Sequence, residues 1–340
     1  MKKIFLYETE RGLLFFLLLN NFFKDEYFFI IEKNKKNNNI KLNNKIFKNI
    51  IIFNNKNLFY DRTIGILFFR KKYKELLQKI ENNSVILFGL DHIFLGSNVF
   101  YKEKIYLLED GMMNYSFYNS PLLKNWKTKI KKSISNFINL IFNLKVRIHY
   151  GISETVKKIY LTGLAPIPEE IKDKVEIINL KELWNKKSDD EKEEILNIFG
   201  FDKSIVNSIK NRKYILYTQP LSEDEVLLEN EKIELYSKIL KKYDKNCIVL
   251  KKHPREKTDY KKIFPDIEVM DQVFPAELLT LLDIHFEKAI TIFSTAALTD
   301  SKVKVDFYGT EIHPKLLKKF GSQDTIMKRN AFFLDEEEKK

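Results

Sequence analysis

Short apolar runs alternate with longer mixed stretches from the first residues onward. Ile4–Tyr7, Tyr27–Glu32, Ile50–Phe53, Val85–Phe88 and Lys104–Leu108 are rich in β-branched and aromatic side chains. Runs of this length and make-up read as strands buried on both faces. Helical stretches such as Ile64–Asn82 lie between several of them. Strand–helix alternation predicts a mostly parallel sheet covered on both sides by helices. Ile148–Ile152 and Val175–Ile178 read as further strands that close this first set. The opening "MKKIFLYETERGLLFFLLLNNFF" imitates a secretory signal, with two lysines before an apolar run. Glu8, Glu10 and Arg11 interrupt it, no small-residue cleavage site follows, and Leu13–Leu19 is too short to span a bilayer. The better parse is a buried strand at Ile4–Tyr7, a turn at Glu8–Gly12 and a buried helix. "NKKNNNIKLNNK" at 34–45 is a polar low-complexity loop with no evident chemistry.

A second set of strands begins after a gap. Lys181–Lys210 is charged and helical and contains no strand, as expected of a connection between domains. Tyr214–Tyr217, Ile248–Lys251, Ile267–Met270, Ala289–Phe293 and Val305–Tyr308 follow, with helices such as Glu225–Tyr243 between them. The expected organisation is a Rossmann-like domain over 1–180, the helical connection over 181–210, a second over 211–320, and a tail over 321–340. A chain of 340 residues agrees with two domains. Two doubly wound α/β domains in tandem turn their strand ends toward a shared cleft, which is the GT-B arrangement of many glycosyltransferases.

Composition narrows the class. Hydrophobic residues make up 44% and aromatics 14%, enough for sizeable cores, which excludes global disorder. The single cysteine, Cys247, excludes a disulfide framework and a cysteine-based zinc site; it reads as packing in an apolar strand and suits a reducing cytoplasm. A net charge of +12 draws a protein to anionic surfaces, among them nucleic acid, acidic lipid and nucleotide-linked substrates. No zinc finger, RNP motif or helix-turn-helix signature is present and the lysines are spread out, so nucleic acid is not the expected partner. The 121–150 stretch pairs Lys124, Lys127, Lys129, Lys131 and Lys132 with apolar residues at helical spacing. It reads as a surface helix docked on its own sheet, or as one that touches the inner membrane.

Candidate chemistry sits where strands end. Lys104–Leu108 runs into Glu109, Asp110 and Gly111, placing an acid at a sharp turn where it could accept a hydroxyl proton. An Asp-Gly turn is the ordinary alternative. Tyr214–Tyr217 runs into "TQPLSEDE", in which Ser222 and Glu225 fit a capping box. Glu223 and Asp224 are then first-turn acids or cleft residues. Ile248–Lys251 runs into His253, Pro254 and Arg255: proline fixes the loop, and the imidazole and guanidinium suit phosphate oxygens. Ala289–Phe293 runs into Ser294 and Thr295, which open a helix whose Ala296 and Ala297 allow close approach. Hydroxyls beside free N–H groups at a helix start can hold an anion, or simply cap the helix. Glu277, just after Pro275, could accept both hydroxyls of a ribose or start a helix.

The ordered succession "LLEDGMMNY", "YTQPLSEDE", "LKKHPRE", "VFPAELL" and "FSTAALT" resembles glycosyltransferase family 52, the bacterial lipooligosaccharide sialyltransferases. The acid-acid-Gly and His-Pro motifs are also shared with bacterial polysialyltransferases. The resemblance runs from about Ile4 to about Tyr308 and is strongest in the second domain. It implies an inverting transfer of sialic acid from CMP-sialic acid to a terminal galactose, with no metal or other cofactor. By position, His253 contacts the CMP phosphate, Ser294 and Thr295 hold the same phosphate, and Glu277 binds the ribose. Gln219, Pro254 and Arg255 complete the implied nucleotide-binding set. The implied base is Glu109 of the acid-acid-Gly motif, with Asp224, or Glu223 beside it, second; Asp110, the other acid of the motif, belongs to the same catalytic set. The implied setting is the cytoplasm, at the inner face of the inner membrane, with a glycan or glycolipid acceptor; a homodimer stays open. A GT-B transferase using a UDP-hexose is the alternative, because motifs for ribose and phosphate name neither base nor sugar.

Overall fold

The structure of the protein is a computed structural model. It describes residues 2–7, 9–21, 23, 27–33, 49–54, 71, 74–75, 78, 85–92, 104–116 and 150–322. Most of the 64–82 stretch, the 34–45 loop, the basic 121–149 stretch and the end of the tail lie outside the described residues. The chain divides into two compact units, Met1–Ile198 and Phe199–Lys340, and the division falls inside the helical 181–210 stretch. Among the described residues, no helix is long and apolar enough to cross a membrane.

The first unit is built on seven strands: β1 (Lys2–Tyr7), β2 (Tyr27–Lys33), β3 (Asn49–Asn54), β4 (Val85–Gly89), β5 (Ile105–Leu108), β6 (Val156–Leu161) and β7 (Val175–Ile177). Their order is β3-β2-β1-β4-β5-β6-β7, and neighbouring strands are parallel. The segment that imitates a secretory signal is the centre of this unit. β1 lies between β2 and β4, and α1 (Glu10–Leu19) buries every residue from Gly12 to Leu18. A helix apolar all round has to be buried. It starts three residues earlier than the expected turn allows, because the Thr9 hydroxyl caps it by accepting the Gly12 N–H at 3.0 Å. Helices α2 (Leu180–Asn185) and α3 (Asp189–Ile198) also belong to this unit; Lys187, which follows α2, donates to the Asn20 carbonyl at the end of α1.

The expected strand at Ile148–Ile152 is not formed in its described part. Tyr150 and Gly151 make a turn, at φ 56° and 99°, and the strand is β6, starting at Val156. Lys157 and Lys158 interrupt the apolar pattern of β6 and hid it.

The second unit carries five parallel strands: β8 (Tyr214–Tyr217), β9 (Ile248–Lys251), β10 (Glu268–Met270), β11 (Lys288–Thr291) and β12 (Lys304–Phe307). Their order is β10-β9-β8-β11-β12. Leu216 of β8 stands opposite Leu250 of β9 and Ile290 of β11, and all three are core residues. Cys247 lies just before β9 and is half-buried with its sulfur toward Asp244, so it is not the strand-core residue expected. The longest helix here, Glu229–Leu240, buries Lys232, Leu235, Tyr236, Ile239 and Leu240 at helical spacing, so a lysine occupies the apolar stripe. The helix starts later than Glu225. The Ser222–Glu225 capping box does not form: Glu225 sits at φ 57°, and the carboxylate that accepts the Leu228 N–H (2.8 Å) is that of Glu231.

In both sheets the chain leaves the first strand on one side and later crosses to the other. The order therefore reverses between β1 and β4, and between β8 and β11. Open α/β sheets bind ligands outside the carboxyl ends of strands at such reversals.

Candidate active site

In the second unit, the corners that follow β9 and β11 are both tied to consecutive residues at the end of β8. The His253 N–H lies 3.2 Å from the Thr218 hydroxyl and 2.9 Å from Glu256 Oε2. The Phe293 N–H donates to Gln219 Oε1 at 3.1 Å, and the Gln219 N–H donates to the Tyr236 hydroxyl at 2.7 Å. Gln219, expected among the nucleotide contacts, is thus a brace across the β8–β11 reversal.

Below the His253 loop runs a buried network. Glu256 accepts from the Thr218 hydroxyl on Oε2 and from Tyr260 on Oε1 (2.7 Å), and Lys232 lies 3.7 Å from that same Oε1. Lys232 also holds Glu223 at 3.1 Å and Glu229 at 3.2 Å. Burial pushes the Glu256 carboxyl above its ordinary value despite these donors. Burial also acts to raise Glu223, but the Lys257 N–H and Lys232 outweigh it and hold that carboxyl low. Glu223 is therefore a structural anchor of the loop. None of Thr218, Lys232, Glu256 or Tyr260 was singled out from the sequence. A lysine in the apolar phase of a helix was the signal for this network.

His253 itself is half-buried. Its Nδ1 accepts the Arg255 N–H at 3.1 Å, and burial, helped by the Arg255 charge, lowers its pKa from 6.5 to about 4. A neutral ring whose Nδ1 accepts must carry its proton on Nε2, so the ring offers one N–H donor there. Pro254 fixes the turn between the two residues. The Arg255 guanidinium is bidentate to Asp224, at 2.5 and 2.9 Å, with both side chains about one-third exposed (34% and 31%). The pair joins two residues that sequence reasoning had placed in separate roles, phosphate ligand and base. Ser294 is half-buried; its N–H donates to Thr291 (2.9 Å) and its hydroxyl accepts the Ala296 N–H (3.3 Å), starting a single 3-10 turn over Thr295–Leu298. Glu277 is buried at the start of a short helix, Glu277–Leu281. Its charge reaches Tyr217 at the end of β8: burial pushes that hydroxyl up, and the Glu277 and Asp300 charges add to the effect.

In the first unit, the two acids after β5 part ways. Glu109 is 1% exposed. Its oxygens accept from Arg11, from Tyr115 at 2.7 Å, and from the N–H and hydroxyl of Thr162 at 2.6 and 2.9 Å. The carboxylate expected as base is thus enclosed by donors and ties β5 to α1 and to the end of β6. Asp110 points the other way. Its side chain is 31% exposed, its N–H donates to Asn114 Oδ1 at 2.6 Å, and Oδ2 lies 3.1 Å from His92 Nε2. Gly111 follows at φ 64° and permits the sharp turn. His92 comes just after β4 and stacks on the Tyr150 ring, with centroids 4.5 Å apart. Sequence reading missed His92 and Asp91, although they follow a strand's carboxyl end as Glu109 and Asp110 do.

Among solved structures, the chain is similar to an α/β-galactoside α-2,3-sialyltransferase from Photobacterium phosphoreum. The TM-score is 0.58 at 14% identity, over 90% of this chain and 89% of that one. It is also similar to a 2,6-sialyltransferase from Photobacterium sp. JT-ISH-224 solved with CMP and lactose. There the TM-score is 0.55 at 16% identity, over 90% and 71% of the two chains. A third likeness is to the GT-B domain of a Photobacterium damselae sialyltransferase, with a TM-score of 0.53 at 15% identity and 90% of each chain covered. At such identities the likeness is one of fold, and the fold is GT-B. A Haemophilus influenzae protein described as uncharacterized is 46% identical over 247 residues, 73% of this chain and 76% of that protein. The sequence profile of glycosyltransferase family 52 matches residues 24–316, and the chain belongs to that family.

Proposed function

We propose that the protein is a sialyltransferase that moves sialic acid from CMP-sialic acid to a hydroxyl of a terminal galactose, with inversion and without a metal. The observation that carries this reading is in the second unit. The His253 loop and the Ser294 turn are braced by Thr218 and Gln219 beside the β8–β11 reversal, and His253 is a neutral ring with its proton on Nε2. In the reaction the bond from the sialyl anomeric carbon to the phosphate oxygen breaks, leaving its electron pair on CMP. The bond to the galactose oxygen forms, and the hydroxyl proton leaves to a base. The His253 Nε2–H and the donors of Ser294 and Thr295 meet the charge that grows on the phosphate. With those donors in place, one phosphate needs no divalent ion. Glu277 receives the ribose hydroxyls. Arg255, held in place by Asp224, and Pro254 shape the phosphate loop.

Asp110 takes the proton in this reading, in place of Glu109. Asp110 keeps an exposed face, whereas both oxygens of Glu109 are engaged by Arg11, Tyr115 and Thr162. The Asp224 carboxylate is committed to Arg255 and is not the base. The family's resemblance to lipooligosaccharide sialyltransferases supports a surface-glycan acceptor, made on the cytoplasmic side at the inner membrane, with the basic 121–150 stretch as the membrane contact. The solved 2,6-sialyltransferase of like fold, with CMP and lactose bound, supports the pairing of cytidylate donor and galactoside acceptor.

Thermal unfolding with added nucleotides tests the donor. CMP at a hundredfold its Kd stabilises the fold by about 2.7 kcal/mol, and the reading expects a rise in Tm with CMP that UDP and an oligonucleotide do not give. A rise with UDP and none with CMP transfers the assignment to a UDP-hexose transferase of the same fold.

A further inference from the structure

The turn that replaced the expected strand at Ile148–Ile152 is held from both sides. Asp91, 5% exposed, accepts the Tyr150 N–H at 2.9 Å on one oxygen and the Gly151 N–H at 2.8 Å on the other. Lys174 Nζ donates to the carbonyls of Gly151, Ile152 and Ser153 at 3.0, 3.2 and 3.1 Å. The N–H groups and the carbonyls of one turn are thus clamped by a carboxylate that follows β4, in the middle of the sheet, and an ammonium that precedes β7, at its edge. Burial pushes Asp91 up, and the two N–H bonds oppose that shift.

The clamp holds a backbone that would not adopt this shape by itself. Tyr150 is at φ 56°, a left-handed conformation uncommon for a bulky aromatic residue. Gly151 at φ 99° is packed so closely that a Cβ there would lie 2.4 Å from Ile159 Cδ1 in β6. At Tyr150 a conformation of this kind costs on the order of 1–3 kcal/mol and persists where the surroundings impose it, often at functional sites; at Gly151 the positive φ is free, and the close packing is what demands glycine. What the shape achieves is visible in the ring it presents. Tyr150 lies flat on His92, 4.5 Å between centroids and 19° between planes, and His92 Nε2 meets Asp110 Oδ2 at 3.1 Å.

We propose that the 150–153 turn is a positioning device for Asp110: Asp91 and Lys174 lock the turn, the Tyr150 ring locks His92, and His92 sets the carboxylate that receives the acceptor's proton. Tyr150 and His92 touch neither reacting atom in this scheme. The inference rests on the reading of Asp110 as the base. An exposed carboxylate on a strand-end turn samples several rotamers, and only one that faces the hydroxyl takes the proton. A partner fixed by stacking removes that freedom before the substrate arrives.

Tyr150→Asn tests it, because asparagine tolerates the left-handed backbone but has no ring to stack. A misplacement of about an ångström costs up to about 10²-fold, so kcat is expected to fall about ten- to a hundredfold. KM for the CMP-linked donor stays within about twofold, since donor contacts are untouched. The solvent deuterium isotope effect on kcat rises, because proton transfer becomes the slow step; a smaller folded fraction would lower kcat without changing that ratio. Tyr150→Phe keeps the ring face and restores the wild-type behaviour. If Tyr150→Asn does not fold, His92→Gln is read in its place, with the same expected loss and isotope effect. Wild-type kcat and isotope effect in whichever of these variants is folded overturn the inference. Asp110→Asn separates the two layers. Full activity in that variant removes the base assignment itself. Loss of activity there, with a wild-type Tyr150→Asn, removes only the turn.

Discussion

Asp110→Asn is expected to lower turnover by about 10²–10⁴-fold, the usual contribution of a positioned general base. The amide keeps the size of the side chain and can still meet His92, so the fold is retained while proton acceptance is lost. Glu109→Gln, one residue away, is expected to behave differently. It strikes a buried carboxylate that Arg11, Tyr115 and Thr162 surround. An amide there must turn its NH₂ toward one of these donors, leaving a buried group unsatisfied. The cost falls on stability, read as a lower Tm, and the folded fraction keeps its proton-transfer step. Steady-state kinetics and thermal unfolding of the two variants check this directly. Near-normal turnover in Asp110→Asn, with loss in a well-folded Glu109→Gln, would return the base to Glu109.

His253→Ala is expected to cost about 10²–10³-fold in kcat, as removal of one preorganised donor does elsewhere. The loop keeps its other ties when this contact is lost, the residue 253 N–H to Thr218 and Glu256 and the Arg255 guanidinium to Asp224, so it survives. The same residue marks a stability term with a definite sign. Its folded pKa of about 4 lies below the ordinary 6.5, so the unfolded chain binds the extra proton first as pH falls. The neutral, half-buried ring therefore contributes in full above pH 6.5, and the contribution is lost as pH drops toward 4. Denaturant unfolding at pH 7 and pH 4.5 should show a smaller acid loss in His253→Gln than in the wild type. Near neutral pH the ring stays neutral, so it acts by hydrogen bonding and not as a ready-made cation. Unchanged turnover in His253→Ala would remove the ring from the mechanism.

How much of this was legible in the chain depends on range. β9 and β8 could be read residue by residue, because buried parallel strands are unbroken apolar runs that stop where their loops begin. β6 escaped because Lys157 and Lys158 sit at its amino end, and "RIHYGI" just before it looked more strand-like. The strand-end rule picked out Glu109, Asp110, His253, Ser294 and Glu277. It could not choose between Glu109 and Asp110, since adjacent residues leaving a strand point to opposite sides. Which of them meets Arg11 and Thr162 is decided by α1 and β6, far away in sequence. The same holds for Asp91, which finds its partners at Tyr150 and Gly151 only once β4 and the β6 approach are side by side. Asp224 and Arg255 were each noticed, but their pairing depends on how the 221–225 turn folds, and that turn was misread as a capping box.

The most direct measurement is transfer itself. Incubating the protein with CMP-sialic acid and lactose, with a chelator present, should release CMP and yield a sialylated galactoside of anomeric configuration opposite to the donor's. Both products should fall together in Asp110→Asn and in His253→Ala. Consumption of a UDP-sugar with CMP-sialic acid left intact would contradict the account.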